Sequence, residues 1–350
     1  MSKIKDLIDK LYQEHDLRDE DLLYILDNID EESMDYLFYL AAKTRDRHYG
    51  RKVYLRGLIE FTNYCKRECS YCGINAYNTK AKRYRLTKEE ILATCLHGKE
   101  LGFNTFVLQG GEDMYYDDEK MADIIRSIKD LAPDSAITIS IGERSKDSYR
   151  LLREAGADRY LLRHETANEE TYKKLHSKSY FKDRHQCLKD LKDLGFQVGS
   201  GFMVGLPDYT NSDYVKDLRF LKELEPAMVG MGPFIAHEDT PMRGNSSGTI
   251  EKTTTLLAII RLLMPRVLLP ATTALASIGE SGRKRGLDAG ANVIMPNLTP
   301  MVHRGDYSLY KNKKSTGSES AEALNLIKEE LESYGYECDM ARGDSKVIYR

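Results

Sequence analysis

The chain opens with a helical rhythm of apolar positions. Ile4, Leu7, Ile8 and Leu11 fall on one stripe at the spacing of an amphipathic helix, and residues 3 to about 50 predict two or three such helices. The rhythm then changes. Short apolar runs recur at 54–61, 104–108, 136–141, 157–162, 197–204, 228–232, 268–273 and 292–295, with helical patterns between most of them. The punctuation agrees. Thr87-Lys88-Glu89-Glu90 is a capping-box signature before Ile91, Leu92, Cys95 and Leu96. Gly102 and Gly195 stand where helix C-caps belong. Glu154-Ala155-Gly156-Ala157-Asp158 and Asp288-Ala289-Gly290-Ala291-Asn292 read alike, as helix end, tight turn and strand start. Strands alternating with helices imply βαβ units and parallel pairing.

Eight runs are the number of a closed barrel, and an open doubly wound sheet, the weaker alternative, usually has fewer. The expectation is therefore an α/β fold with a complete (β/α)8 barrel over residues 51–310. Residues 1–50 form an N-terminal helical extension capping it, and 311–350 form a C-terminal loop, short helix and tail within the same domain. The polar stretch 312–320 reads as a surface loop and 321–334 as helix.

Composition narrows the function. A length of 350 residues suits one barrel with extensions, and 41% hydrophobic residues supply a sizeable core. The net charge of -3 argues against a general polyanion binder, although a local basic patch stays open. The most apolar stretch, 256–276, is broken by Arg261, Pro265, Arg266 and Pro270, so it reads as a buried helix and strand rather than a membrane span. With no apolar signal-peptide core at the N-terminus, a cytoplasmic location is expected. Six cysteines in such a chain do not suggest a disulfide framework. Cys95, Cys187 and Cys338 are scattered and default to buried, unreactive thiols.

The other three define the chemistry. Cys65-x-x-x-Cys69-x-x-Cys72 follows the first strand directly. Thiolates suit iron–sulfur clusters and zinc, but a structural zinc site needs four ligands. Cys95 lies inside a predicted helix, and His48 and His97 lack ligand spacing. A Cys69-x-x-Cys72 redox pair is the other reading. Three cysteines around a cubane leave one iron open. Polar residues follow other strands at the end where barrels carry their sites: Gln109-Gly110-Gly111-Glu112, Glu143, Arg163-His164-Glu165, Thr272-Thr273 and Asn297. Gly110 and Gly111 would let backbone approach a ligand closely. Arg163 and Glu165, two apart on a predicted strand, would share the inward face. A structural or hydrogen-bonding role is expected for Glu112 and Asp113.

The cysteine spacing, with Tyr71 before the third cysteine, resembles the signature of the radical S-adenosylmethionine superfamily. Within it, several phrases resemble the HydE branch of [FeFe]-hydrogenase maturases: Gly57-Leu58-Ile59-Glu60-Phe61-Thr62-Asn63, Tyr84-Arg85-Leu86-Thr87, Gln109-Gly110-Gly111-Glu112-Asp113, the run from Asp158 to Asn168, Met203-Val204-Gly205-Leu206-Pro207, Pro270-Ala271-Thr272-Thr273-Ala274, and the run from Gly290 to Asn297. Biotin synthase and methylornithine synthase are relatives. The resemblance implies one oxygen-sensitive [4Fe–4S] cluster on Cys65, Cys69 and Cys72, with S-adenosylmethionine on its open iron. It places Tyr71, Gln109, Gly110, Gly111, Glu112, Glu165, Arg184 and Met228 around the cofactor, and Arg163, Thr272, Thr273 and Tyr307 at the substrate. Reductive cleavage of the cofactor would give a 5′-deoxyadenosyl radical that attacks a sulfur of a cysteine-bound iron carbonyl–cyanide precursor. The implied partners are HydF, HydG and an external one-electron donor, with no nucleic acid or membrane. Some relatives carry three more cysteines beyond the eighth strand for an auxiliary cluster; residues 311–327 hold none, so none is expected here. The alternatives are a related enzyme acting on an amino-acid or cofactor precursor, and a non-catalytic iron–sulfur or zinc protein.

Overall fold

The computed structural model describes residues 3–315 and 317–347. Three helices, Lys3–Glu14, Asp19–Asn28 and Glu31–Tyr49, form the N-terminal extension. The stripe read from the sequence faces inward, with Ile4, Ile8 and Leu11 buried. Asp30 and Ser33 cap the third helix reciprocally, at 2.9 and 3.0 Å. Arg45 on that helix donates from Nη1 to the carbonyl of Leu287 (2.6 Å), fixing the extension to the barrel wall.

Parallel ladders join Gly57–Thr62, Thr105–Gly110, Ala136–Ser140, Arg159–Leu161, Gln197–Ser200 and Met228–Val229 in that order. Parallel strands covered on both faces need continuous apolar runs, and all six residues of Gly57–Thr62 are buried. Beyond Met228 the pairing continues by single bridges, Met228 to Leu268 and Pro270 to Val293. Val293 and Ile294 pair in turn with Tyr54 and Leu55, just ahead of the first strand of the series, and Leu58 bridges Asn297. Proline lacks the N–H a longer ladder at Pro270 would need. The six-stranded sheet is thus extended by the seventh and eighth runs, as an α/β barrel arrangement requires.

Helices cover the outside. The capping box at Thr87 forms as read, with Glu90 N–H on Thr87 Oγ1 at 3.2 Å and Thr87 N–H on Glu90 Oε2 at 2.7 Å. Gly156 and Gly290 take φ of 114° and 100°, so the two similar phrases do make the same turn, in a region where side chains are strained. The helix Ile250–Leu263 is almost wholly buried, in line with its apolar sequence.

The opposite end of the barrel is filled by the C-terminus. Glu337–Asp339 pairs with Lys52–Tyr54, and the following tail crosses beneath the strands. The fully buried Arg56 and Arg159 point to it: Arg56 Nη2 donates to Gly343 O (3.1 Å) and Arg159 Nη2 meets Asp344 Oδ1 (2.5 Å). Buried guanidinium groups need partners, and the tail supplies them.

Three expectations are corrected. The run 268–273 stops short, because Thr272 N-caps a helix, Thr273–Ile278. Arg163 and Glu165 lie past the strand Arg159–Leu161, and Glu165 has φ of 68°. The stretch 312–320 is not simply a surface loop: Lys313 lines the barrel cavity, and Glu319 and Ser320 are buried.

Candidate active site

The cysteine loop leaves Gly57–Thr62 and is held by its own polar side chains. Asn63 Nδ2 donates to the carbonyls of Lys82 and Asp306 (2.8 and 2.7 Å). Arg83 donates to the carbonyls of Ile74, Asn75 and Asn78. The loop also docks on its surroundings, through Lys66 N–H to Glu112 O and Ser70 N–H to Leu175 O, both 3.0 Å. Gly111 is required by this docking. A Cβ there would stand 2.2 Å from Tyr64 O and 2.7 Å from Cys65 Cβ, so the glycine admits the cysteine loop itself.

Two backbone N–H groups, of Arg67 and Glu112, point at Cys65 Sγ at 3.4 and 3.3 Å. Cys69 Sγ lies 3.2 Å from His176 Nδ1. Burial pushes all three thiols above their ordinary range, Cys72 to about 12, and the charges of the other cysteines push Cys69 and Cys72 further. Thiolates gathered this way need a cationic centre to become stable, and amide donors on sulfur are what an iron–sulfur cluster uses. Three thiols on one loop, with amide donors aimed at Cys65 Sγ, are a donor set that fits a cluster.

Behind the loop runs an ionic chain. Arg67 Nε binds Glu112 Oε2 and its Nη2 binds Glu143 Oε2, both at 2.6 Å. Glu143 Oε1 then meets Arg184 Nε at 2.6 Å. Burial alone would raise the Glu143 carboxyl; Arg184 and Arg67 hold it below the ordinary range instead. Arg184 Nη1 donates to Arg163 O (3.0 Å).

Arg184, with Tyr71 and Cys72 of the loop, borders a cavity of about 390 Å³ at the carboxyl ends of the strands. Tyr71, Cys72, Gln109, Gly110, Arg163, Glu165, Arg184, Met228, Thr272, Thr273 and Tyr307 all line it. Cys65, Cys69, Gly111 and Glu112 do not, and the Glu112 carboxylate is committed to Arg67 and the Glu143 N–H (3.0 Å). Arg163 Nη2 and Glu165 Oε2 meet at 3.2 Å, yet both atoms, and Arg163 Nε, are buried without a hydrogen bond. Buried polar atoms are rarely left so, which makes this wall fit a polar ligand such as an amino-acid cofactor. Thr272 Oγ1 accepts from Leu275 N–H, and Thr273 Oγ1 donates to Glu319 Oε2 (2.7 Å), so the pair is partly occupied by structure. Met228 Sδ receives Arg56 Nη1 (3.3 Å) and packs with Leu268 and Val293, a core role as well as a lining one. Tyr307 is buried and hydrogen-bonded to Gln109.

Four residues carry more than the sequence reading gave them. Glu60 and Lys313 form a buried pair at 2.6 Å inside the cavity. A lone carboxylate in an apolar strand was the available signal for Glu60; Lys313 and His176 offered none. Glu143 was visible only as a polar residue beyond a strand.

A strand-end cavity with a three-thiol loop at its rim defines a barrel enzyme of the iron–sulfur kind. The model of the Radical SAM superfamily matches residues 59–261. The chain is 42% identical over 313 residues to the [FeFe] hydrogenase maturase subunit HydE of Thermotoga maritima, covering 89% of each protein. It is 33% identical to 3-methylornithine synthase of Methanosarcina acetivorans, covering 82% of this chain and 81% of that one. The crystal structure of methylornithine synthase superposes with a TM-score of 0.82 at 29% identity, covering 95% and 97% of the two chains. This chain belongs to the radical SAM superfamily and is an enzyme. The family implies a [4Fe–4S] cluster and S-adenosylmethionine binding. No helix among the described residues is long and apolar enough to cross a membrane.

Proposed function

We propose that this enzyme is a HydE-type maturase of [FeFe]-hydrogenase, working in the cytoplasm with HydF, HydG and an external one-electron donor. The observation that carries the proposal is the 42% identity to HydE across 89% of both chains, together with the cavity that the three-thiol loop borders. Cys65, Cys69 and Cys72 are assigned as the ligands of one [4Fe–4S] cluster. A cluster so held would supply one-electron reductive cleavage of S-adenosylmethionine, the source of methionine and a 5′-deoxyadenosyl radical. Its target in this reading is a sulfur of a cysteine-bound iron carbonyl–cyanide precursor.

The chain's own groups position and enclose. Gly110, with Gln109 and Tyr71, faces the methionine end of the cofactor. Arg184 would meet the cofactor carboxylate, and Glu165 would face the adenosyl group. Arg163, Thr272, Thr273 and Tyr307 bind the polar groups of the substrate. Buried walls keep water and oxygen from the reacting atoms. Residues 1–50 and 311–350 are read as parts of the same domain as the barrel.

The 33% identity to 3-methylornithine synthase favours a second reading, an amino-acid radical enzyme. One experiment separates the two. The reconstituted protein replaces HydE in a defined maturation mixture, with and without S-adenosylmethionine. Cofactor-dependent hydrogenase activity is expected; 5′-deoxyadenosine release without maturation would reopen the substrate.

A further inference from the structure

His176 ends the helix Glu169–Leu175, as its C-cap residue, and is 3% exposed. Nothing in the cysteine motif points to it, since it lies 107 positions from Cys69. Yet its Nδ1 is 3.2 Å from Cys69 Sγ. The contact is built from several sides. The imidazole stacks on Tyr172, with centroids 4.5 Å apart and planes 27° apart, and meets Tyr71 edge-on at 5.6 Å. His176 N–H donates to Tyr172 O (2.9 Å), which fixes the backbone. The preceding carbonyl, of Leu175, receives the Ser70 N–H at 3.0 Å, so the helix end and the cysteine loop are joined on both sides of the contact.

A thiolate that ligates iron carries no proton and only accepts hydrogen bonds. An imidazole nitrogen facing it must therefore bear the hydrogen, which makes Nδ1 the donor and Nε2 the lone-pair nitrogen. Nε2 is buried with no partner, so nothing on that side competes for the opposite tautomer.

We propose that His176 is a positioning residue for the cluster, donating from Nδ1 to the Cys69 thiolate and raising the reduction potential. Adding an electron increases the negative charge on the ligating sulfurs. A donor hydrogen bond to one of them therefore stabilises the reduced state more than the oxidised state. The inference rests on the assignment of Cys69 as a cluster ligand.

The test uses the full chain, reconstituted anaerobically with iron and sulfide and titrated by electron paramagnetic resonance without S-adenosylmethionine. His176→Phe keeps a stacked ring and removes the donor. His176→Leu removes both, so that the result does not hang on one replacement folding. His176→Asn keeps an amide N–H near the Nδ1 position. We expect wild-type iron content throughout, midpoints shifted to more negative potential in whichever of Phe and Leu loads, and a midpoint close to wild type in Asn. A loaded Phe or Leu variant with the wild-type midpoint would overturn the proposal, as would an Asn variant shifted as far as they are. A wild-type chain that binds no cluster would instead overturn the ligand assignment.

Discussion

Lys313 Nζ lies 2.6 Å from Glu60 Oε1, joining the segment over the cavity to the strand that feeds the cysteine loop. The carboxylate is wholly buried and its second oxygen accepts from Asn297 Nδ2 at 2.9 Å. Removing the ammonium strands a charge in a dry site, which costs about 3–5 kcal/mol, whereas removing both charges costs far less. Lys313→Met should therefore lower the unfolding free energy by about 3 kcal/mol. Lys313→Met with Glu60→Gln should recover more than half of it. Urea unfolding of the three chains measures this, and a double variant no more stable than the single would show that the pair is not coupled.

The cluster assignment has a direct consequence for Cys69. It sits mid-loop between Cys65 and Cys72, and its sulfur is the one His176 touches. Cys69→Ala should abolish both the cluster and all cleavage of S-adenosylmethionine. Iron content and 5′-deoxyadenosine release are the measurements. Continued 5′-deoxyadenosine production would remove Cys69 from the ligand set.

Arg163 is expected to act on substrate rather than on the cluster. Its Nε and Nη2 are buried without hydrogen bonds, and no cysteine is among its partners. Hydrogen bonds to charged groups contribute about 1.5–3 kcal/mol, equivalent to roughly ten- to hundredfold in binding. Arg163→Ala should keep full iron content and raise the substrate KM by about that factor. Unchanged maturation activity would eliminate the role.

The strands were legible because a buried parallel sheet leaves no room for polar alternation, so each of its members is an apolar run. The ends of those runs were less so. Thr272 and Thr273 continue the apolar run in sequence, but a threonine that can cap a helix ends the strand there. Arg163 and Glu165 were rightly placed on one wall and wrongly placed on a strand, since the positive φ at Glu165 carries no sequence mark. The segment 312–320 has the composition of a surface loop. Its polar groups turn inward because distant partners await them: Glu60 for Lys313, Arg283 for Glu319, and Arg304 for Ser320 (2.7 Å). Long-range pairing of this kind leaves no local signal, and His176 was missed for the same reason.

Acid should weaken the barrel in part through Asp213, far from the cysteine loop in sequence. It stands in the first turn of the helix Asn211–Leu224. Oδ2 accepts from the Thr210 N–H (3.0 Å) and Oδ1 from Asn168 Nδ2 (2.6 Å), with Lys216 Nζ at 3.0 Å. Burial would raise this carboxyl; the Thr210 N–H, Asn168, the Thr210 hydroxyl and Lys216 outweigh it and bring the pKa from 3.8 to about 2. A depressed folded-state pKa means that the unfolded chain binds the proton first, so stability rises with pH across the window. The contribution is complete above 3.8 and is lost as pH falls through about 2. Solvent at the helix end screens the charge, so the contribution is about 1 kcal/mol. Asp213→Asn keeps an acceptor oxygen for Thr210 but cannot titrate. The difference in unfolding free energy between wild type and this variant should hold steady from neutral pH to about 4 and shrink below it. Urea titrations at about pH 5 and about pH 2.5 read that difference. A gap of the same size at both would mean that Asp213 is not ionised more readily in the folded chain than in the unfolded one.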